Sequence, residues 1–303
     1  MTESVISKPA LRAFFARKTL QLFALLPLPA NHLVGALFGW LAWKLPTRAK
    51  RITLRNLERC YPELRFRERN RMVQNSLIET GKTATEMGPL WLWPEQRIQR
   101  LICQVSGEQH LHDALHRRKG VILAIPHLGA WEMVGLYCSL NHSITALYRP
   151  PRLEGMDAMV RQGRERFGAT LVPTDAGGVR ALYKTLGRGE IVCILPDQVP
   201  SAGQGVFAPF FAISANTMTL LSRLGQKFGS EVIFCYAERL PRGRGFHIHF
   251  SPAPEQIHDA DPLRSATALN QGVEQCVRAL PEQYQWSYKR FRSRPPGESG
   301  FYK

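Results

Sequence analysis

The stretch PHLGAWEM, Pro126 to Met133, sets an imidazole and a carboxylate five positions apart, directly after the apolar run GVILAI. An acidic group beside imidazole fixes its tautomer and stabilises the imidazolium, which suits a histidine that takes a proton from a hydroxyl or an amine. His127 and Glu132 are therefore the candidate pair. Of the nine histidines only His127 has a carboxylate five positions later. Such a spacing also arises by chance, so a histidine that packs in a core or caps a helix stands beside the catalytic reading. Five residues of unbroken helix would carry Glu132 about 500° round the axis, leaving it roughly 140° from His127. The pair needs a turn, and Gly129 can supply one, with His127 on a loop and AWEMVGLYCSL starting a helix whose first turn carries Glu132.

No GxSxG elbow, P-loop, GxGxxG, HExxH or kinase signature occurs, so neither a covalent serine nor a bound nucleotide is advertised. A base without a protein nucleophile points to a nucleophile that belongs to the substrate, such as a hydroxyl attacking an activated acyl donor directly. Other polar groups fall where that chemistry could use them. Asp197 follows EIVCILP as His127 follows GVILAI, and titratable residues at strand ends of open α/β sheets are where catalytic groups tend to gather. Arg149, in YRPP after the run SITALY, and Arg161, Arg164 and Arg166, in RQGRERFG, could hold phosphate through charge-assisted hydrogen bonds. Arg149 is the better ligand candidate, fixed before two prolines, whereas Arg161 and Arg166 read as solvent-facing. The loop DQVPSAGQGVFAPFFA turns from glycine-rich to aromatic; Phe207, Phe210 and Phe211 either tuck into the core or form an acyl-chain wall.

The elements that must position these groups are readable from periodicity. From Gly120 onward short β-rich runs (GVILAI, SITALY, ATLVP, EIVCIL, EVIFCYAE, FHIHF) alternate with helical stretches at 156–167, 176–187, 214–228 and 263–280. This predicts an α/β fold with a mostly parallel central sheet flanked by helices. Three regions follow: 1–45, an N-terminal membrane-associated helical segment; 46–118, a helical region; and 119–303, the α/β core. In the first, residues 10–26 and 33–45 are strongly apolar and separated by PLPANH, and neither reaches the ~20 apolar residues of a spanning helix. Basic residues flank both ends, which favours a helical hairpin dipping into one leaflet or one tilted helix, with a buried core helix pair as the alternative.

With 40 Lys and Arg against 24 Asp and Glu, the chain carries a net charge of +16, favouring anionic partners. The basic residues are dispersed, and no zinc finger, RRM signature or basic zipper accompanies them, so nucleic acid is not expected as a partner. Cys60, Cys103, Cys138, Cys193, Cys235 and Cys276 show no CxxC and no Cys/His cluster at zinc spacing, and read as reduced core residues of a cytoplasmic compartment.

Taken together the segments resemble the late acyltransferases of lipid A biosynthesis, the lauroyl/myristoyl transferase family within the lysophospholipid acyltransferase-like group. The likeness is collinear over nearly the whole chain: RAKRITLRNLERCYPEL, PHLGAWE, YRP, Gly163–Arg164, LPDQ, GVFAPFFA and LPEQYQWSYKRFRSRPPG. The last string is the most specific of them. The resemblance implies transfer of a fatty acyl chain from acyl carrier protein, as a thioester, to a hydroxyl of a lipid A precursor, at the cytoplasmic face of a bacterial inner membrane. It implies His127 as general base, Glu132 as its orienting partner, Arg164 and Asp197 as further active-site residues, and no metal or cofactor. The N–H groups near Gly129 are candidate oxyanion donors. The alternatives are the same chemistry on a lysophospholipid or aminolipid, or a noncatalytic basic protein that binds membrane or nucleic acid.

Overall fold

The computed structural model of the chain describes residues 8–302 apart from position 152; positions 1–7 of the expected N-terminal segment therefore lie outside the described residues. Two helices, α1 (Lys8–Leu25) and α2 (Leu28–Lys44), form a hairpin across Pro27, followed by α3 (Arg48–Cys60) and the long α4 (Phe66–Leu92). Helix α2 lies flat on α4 because small residues let the backbones meet: a Cβ on Gly39 would fall 2.2 Å from the Leu77 carbonyl oxygen, and one on Gly81 2.0 Å from that of Gly35. The buried Asn31 amide ties the hairpin together, donating to the carbonyls of Phe23 and Thr85, each at 3.1 Å. The outer face keeps Phe15, Leu22, Leu25, Leu33 and Leu37 exposed. Among the described residues no helix is long and apolar enough to cross a membrane.

The remainder runs α5 (Glu95–Gln99), β1 (Ile102–Ser106), α6 (Glu108–His116), β2 (Val121–Ala124), α7 (Trp131–Asn141), β3 (Ile144–Tyr148), α8 (Asp157–Glu165), β4 (Thr170–Pro173), α9 (Ala176–Gly187) and β5 (Ile191–Ile194). Then come β6 (Gly205–Phe210), β7 (Ile213–Met218), α10 (Leu220–Phe228), β8 (Glu231–Arg239), β9 (Phe246–Pro252) and α11 (Pro262–Ala279). Seven strands make one sheet in the order β1-β9-β8-β2-β5-β3-β4. The five from β8 to β4 are parallel; β9 pairs antiparallel with β8, and β1 runs parallel to β9. The mostly parallel α/β sheet expected from the sequence is present, with a reversed edge.

The central strands are apolar on both faces, as a doubly covered sheet requires. In β2, Ile122 and Ala124 enter one core with Val192, Ile194 and Phe234, while Val121 and Leu123 enter the other with Ile191, Cys193 and Ile233. Two elements differ from the sequence reading. Strand β1 lies in the stretch before Gly120 that reads as helical, and residues 214–228 divide into β7 and α10 rather than forming one helix. The reason for the second is pairing: β7 forms an antiparallel ladder with β6 from Gly205–Met218 to Phe210–Ile213, and this tertiary pairing overrides local helical spacing. All six cysteines are free, and five are buried; Cys103, on the edge strand β1, is exposed rather than in the core.

Candidate active site

His127 sits three residues past the end of β2, where parallel strands deliver polar groups to one edge. The chain turns sharply there. Gly129 has φ +59°, and a Cβ on it would fall 2.0 Å from the Ala237 carbonyl oxygen, so only glycine fits. Helix α7 then starts at Trp131 with Glu132 in its first turn, the arrangement the sequence requires for a pair to form.

The pair itself is different. His127 Nδ1 lies 2.8 Å from Asp197 Oδ1, and the His127 backbone N–H donates to Asp197 Oδ2 at 3.0 Å. Asp197 comes from the loop after β5, the neighbour of β2, so adjacent parallel strands present base and carboxylate side by side. Burial by itself would raise the Asp197 pKa, but the charge of His127 and the hydrogen bonds it donates outweigh that and hold the carboxyl below its usual range. The buried Tyr284 hydroxyl close by is pushed well up by burial and by the Asp197 charge.

Glu132 is turned away from Nδ1. Its carboxylate takes a two-pronged ion pair from Arg164, with Nε at 2.9 Å and the second contact through Nη2, and accepts from Trp91 Nε1 at 3.1 Å. The expectation that Glu132 orients His127 is thereby corrected: the first turn of α7 aims the carboxylate at α8 and α4, whose Arg164 and Trp91 fill its acceptor sites. Burial opposes ionisation of Glu132 but the Arg164 charge prevails, so its pKa is lowered, and that of Arg164 is correspondingly raised.

Both groups border a cavity of about 770 Å³, within the range of small-ligand sites. Leu136, Ile144, Ala146, Leu171 and Cys193 give it an apolar wall, and Arg149, Arg180 and Arg223 are exposed on its lining. Arg149 is therefore at the cavity, as its position before two prolines suggests. Arg161 and Arg166 are half-buried rather than wholly solvent-facing: Arg161 donates to the Leu171 carbonyl at 3.2 Å, and Arg166 to those of Leu90, at 2.6 Å, and Trp93. Burial lowers the Arg166 pKa to about 10. Phe210 and Phe211 pack against Tyr61, Tyr284, Trp286 and Phe291. They belong to the core, not to the cavity wall.

The sequence reading missed the residues that brace the loop. Gln198 Nε2 lies 3.1 Å from His127 Nε2 and 3.4 Å from Gln285 Oε1. The Gln285 N–H donates to the His127 carbonyl, and the Gly129 N–H donates to that of Gln283, each at 3.0 Å. The Gly129 N–H is thus already engaged and does not serve as an oxyanion donor in this arrangement. The Tyr288 hydroxyl accepts from the Val199 N–H at 3.0 Å, so the long C-terminal string of aromatic and basic residues acts as a clamp on both loops that carry the site.

The site thus joins a histidine–carboxylate pair at adjacent strand ends to a cavity with an apolar wall and a basic lining. The chain belongs to the bacterial lipid A biosynthesis acyltransferase family, whose model matches residues 6–293. It is 31% identical over 274 residues to the lipid A biosynthesis lauroyltransferase of Escherichia coli K12, covering 90% of this chain and 88% of that one. To the lipid A biosynthesis palmitoleoyltransferase of the same organism it is 29% identical over 293 residues, covering 95% and 94%. To the corresponding myristoyltransferase it is 25% identical over 281 residues, covering 92% and 86%.

Proposed function

We propose that this acyltransferase moves a fatty acyl chain from the thioester of acyl carrier protein to a hydroxyl of a lipid A precursor, without an acyl-enzyme. The observation that carries the reading is the polarity of His127. Asp197 accepts at Nδ1, so Nε2 keeps the lone pair that a base requires, and both His127 and Gln198 border the cavity. The acceptor hydroxyl displaces the Gln198 amide from Nε2 and loses its proton to that nitrogen as its oxygen bonds to the thioester carbon. Collapse of the tetrahedral adduct breaks the C–S bond, and the departing thiolate recovers the proton from the imidazolium. Asp197 is the positioning residue for His127. Glu132 holds Arg164 on the cavity wall through their ion pair.

The apolar wall suits the acyl chain, and Arg149, Arg180 and Arg223 suit the phosphates of the acceptor or the acidic carrier protein. The exposed apolar face of α1 and α2 suits a resting place on the cytoplasmic surface of the inner membrane, where it would cover Phe15, Leu22, Leu25, Leu33 and Leu37. Mass spectrometry of lipid A from strains with and without the gene tests the reading. Lipid A lacking one acyl chain in the deletion strain is the expected result, and the mass difference reports the chain length. Unchanged lipid A with altered phospholipids would transfer the chemistry to another acceptor.

A further inference from the structure

On the reversed edge of the sheet, away from the residues that border the cavity, two histidines and a carboxylate converge. His247 and His249 alternate along β9 and so share one face, and Glu238 on β8 stands directly opposite His247 in the antiparallel ladder. His249 Nε2 lies 3.0 Å and His247 Nδ1 3.8 Å from Glu238 Oε2, and one donor atom from each residue falls within 4.8 Å of both others. In a tetrahedral site with bonds of about 2.1 Å, donors stand about 3.4 Å apart. The observed spacings bracket that value, so small side-chain adjustments suffice to close the set around one ion.

From this geometry we infer that Glu238, His247 and His249 form a binding site for a divalent transition-metal ion, Zn²⁺ foremost. Two imidazoles and one carboxylate are a borderline donor set that suits Zn²⁺ and disfavours Mg²⁺ or Ca²⁺, which take oxygen ligands. The surroundings add support independent of the three donors. His247 Nε2 lies 2.8 Å from Ser106 Oγ on β1; when its Nε2–H is donated there, Nδ1 keeps its lone pair facing Glu238, the outer-shell arrangement that orients a ligating histidine. The ring of His249 is stacked on Tyr236, with centroids 4.6 Å apart and planes at 13°, which holds Nε2 toward the same point. The side chains keep 14%, 25% and 31% of their surface for His247, His249 and Glu238, enough for an ion to enter and for water to complete its coordination. Because the donors come from two strands, with Glu238 nine positions before His247, no linear motif announces the site.

An ion there would lock β9 to β8 one residue beyond Ala237, whose carbonyl accepts the Ala130 N–H of the His127 loop at 2.8 Å. Isothermal titration of the detergent-solubilised full chain with ZnCl₂, after chelator treatment, tests the inference, with MgCl₂ as control. One equivalent of Zn²⁺ is expected to bind, with no heat from Mg²⁺. Binding should be lost in the His247→Ala/His249→Ala variant and weakened by about tenfold in Ser106→Ala. X-ray absorption of the loaded protein should show two imidazoles in the zinc shell. Circular dichroism of the metal-free variants guards against misfolding, and Glu238→Gln provides a milder variant should the double substitution fail to fold. The inference is overturned by an absence of Zn²⁺ binding, by undiminished binding in the folded variants, or by a zinc shell without imidazole.

Discussion

Among the described residues, two histidines each meet a buried carboxylate, His32 at Glu86 and His127 at Asp197, and it is His127 that borders the cavity. His32 Nε2 lies 3.1 Å from Glu86 Oε2 beneath the N-terminal hairpin, with the two residues 5% and 1% exposed. Arg239 donates to Glu86 at 2.7 and 2.5 Å, to Glu79 at 2.7 Å and to Thr83 at 3.0 Å. The Arg239 bonds hold β8 to α4, and His32 ties α2 to the same Glu86 carboxylate. In the His127–Asp197 pair the carboxylate is equally buried, yet Nε2 of the imidazole meets only the amide of Gln198 beside open space. A histidine–carboxylate pair is thus a buried joint at His32–Glu86 and, on the proposed mechanism, a base at His127–Asp197, where Nε2 is left for a substrate.

The largest contrast is in stability. Glu86→Ala leaves Arg239 and His32 without their shared carboxylate, and removing one partner of a buried pair costs about 3–5 kcal/mol; urea denaturation should show it, with the transfer rate per folded molecule near that of the natural chain. Burial works against ionisation of Glu86, but Arg239 and His32 overcome it and lower its pKa from 4.5 to about 2. Since the folded value lies below the unfolded one, the pair's contribution is complete above about pH 4.5 and is lost as pH falls through about 2, a span worth about 3 kcal/mol. Urea midpoints measured from pH 6 downward should fall over that window, and fall less steeply in Glu86→Gln.

In the open pair the contrast is in rate. Asp197 accepts from both the His127 N–H and Nδ1–H, so in Asp197→Asn the amide oxygen answers the backbone and the amide NH₂ faces Nδ1. The imidazole proton then moves to Nε2, and the base loses its lone pair there. Transfer should fall by about 100-fold or more, and the ¹⁵N signature of an Nδ1–H imidazole should vanish, whereas Glu132→Gln should retain that signature.

The smallest expected effect sharpens the cavity rather than the pair. Gly135 borders it from α7, and a Cβ there meets nothing within 4 Å. Gly135→Leu should fold normally and shorten the preferred acyl chain, by a discrimination of about tenfold between donors differing by two methylenes. Competition between acyl carrier proteins loaded with different chains would measure it.

Much of this was legible in the sequence because the signals are local. The β-rich runs after Gly120 became strands, the Gly129 turn follows from the need to break a helix, and His127 and Asp197 each follow a strand with at most two residues between. What was not legible is which carboxylate reaches the imidazole. Glu132 is close in sequence, but the first turn of α7 aims it at Arg164 and Trp91; Asp197 is 70 residues away and is brought in by the pairing of β2 with β5. Gln198, Gln285 and Tyr288 were invisible for the same reason, since their contacts are made between loops. Strand β7 was missed because its partner β6 lay in a stretch that reads as a loop.

The most direct test is the initial rate of acyl transfer from acyl carrier protein to a lipid A precursor by His127→Ala, compared per folded molecule with the natural chain at matched circular dichroism. On the proposed mechanism, loss of the base predicts a fall of about 10³-fold in the folded variant, alongside a lowered urea midpoint because the buried Asp197 carboxylate loses its imidazole partner. Undiminished transfer by the folded variant would contradict the account.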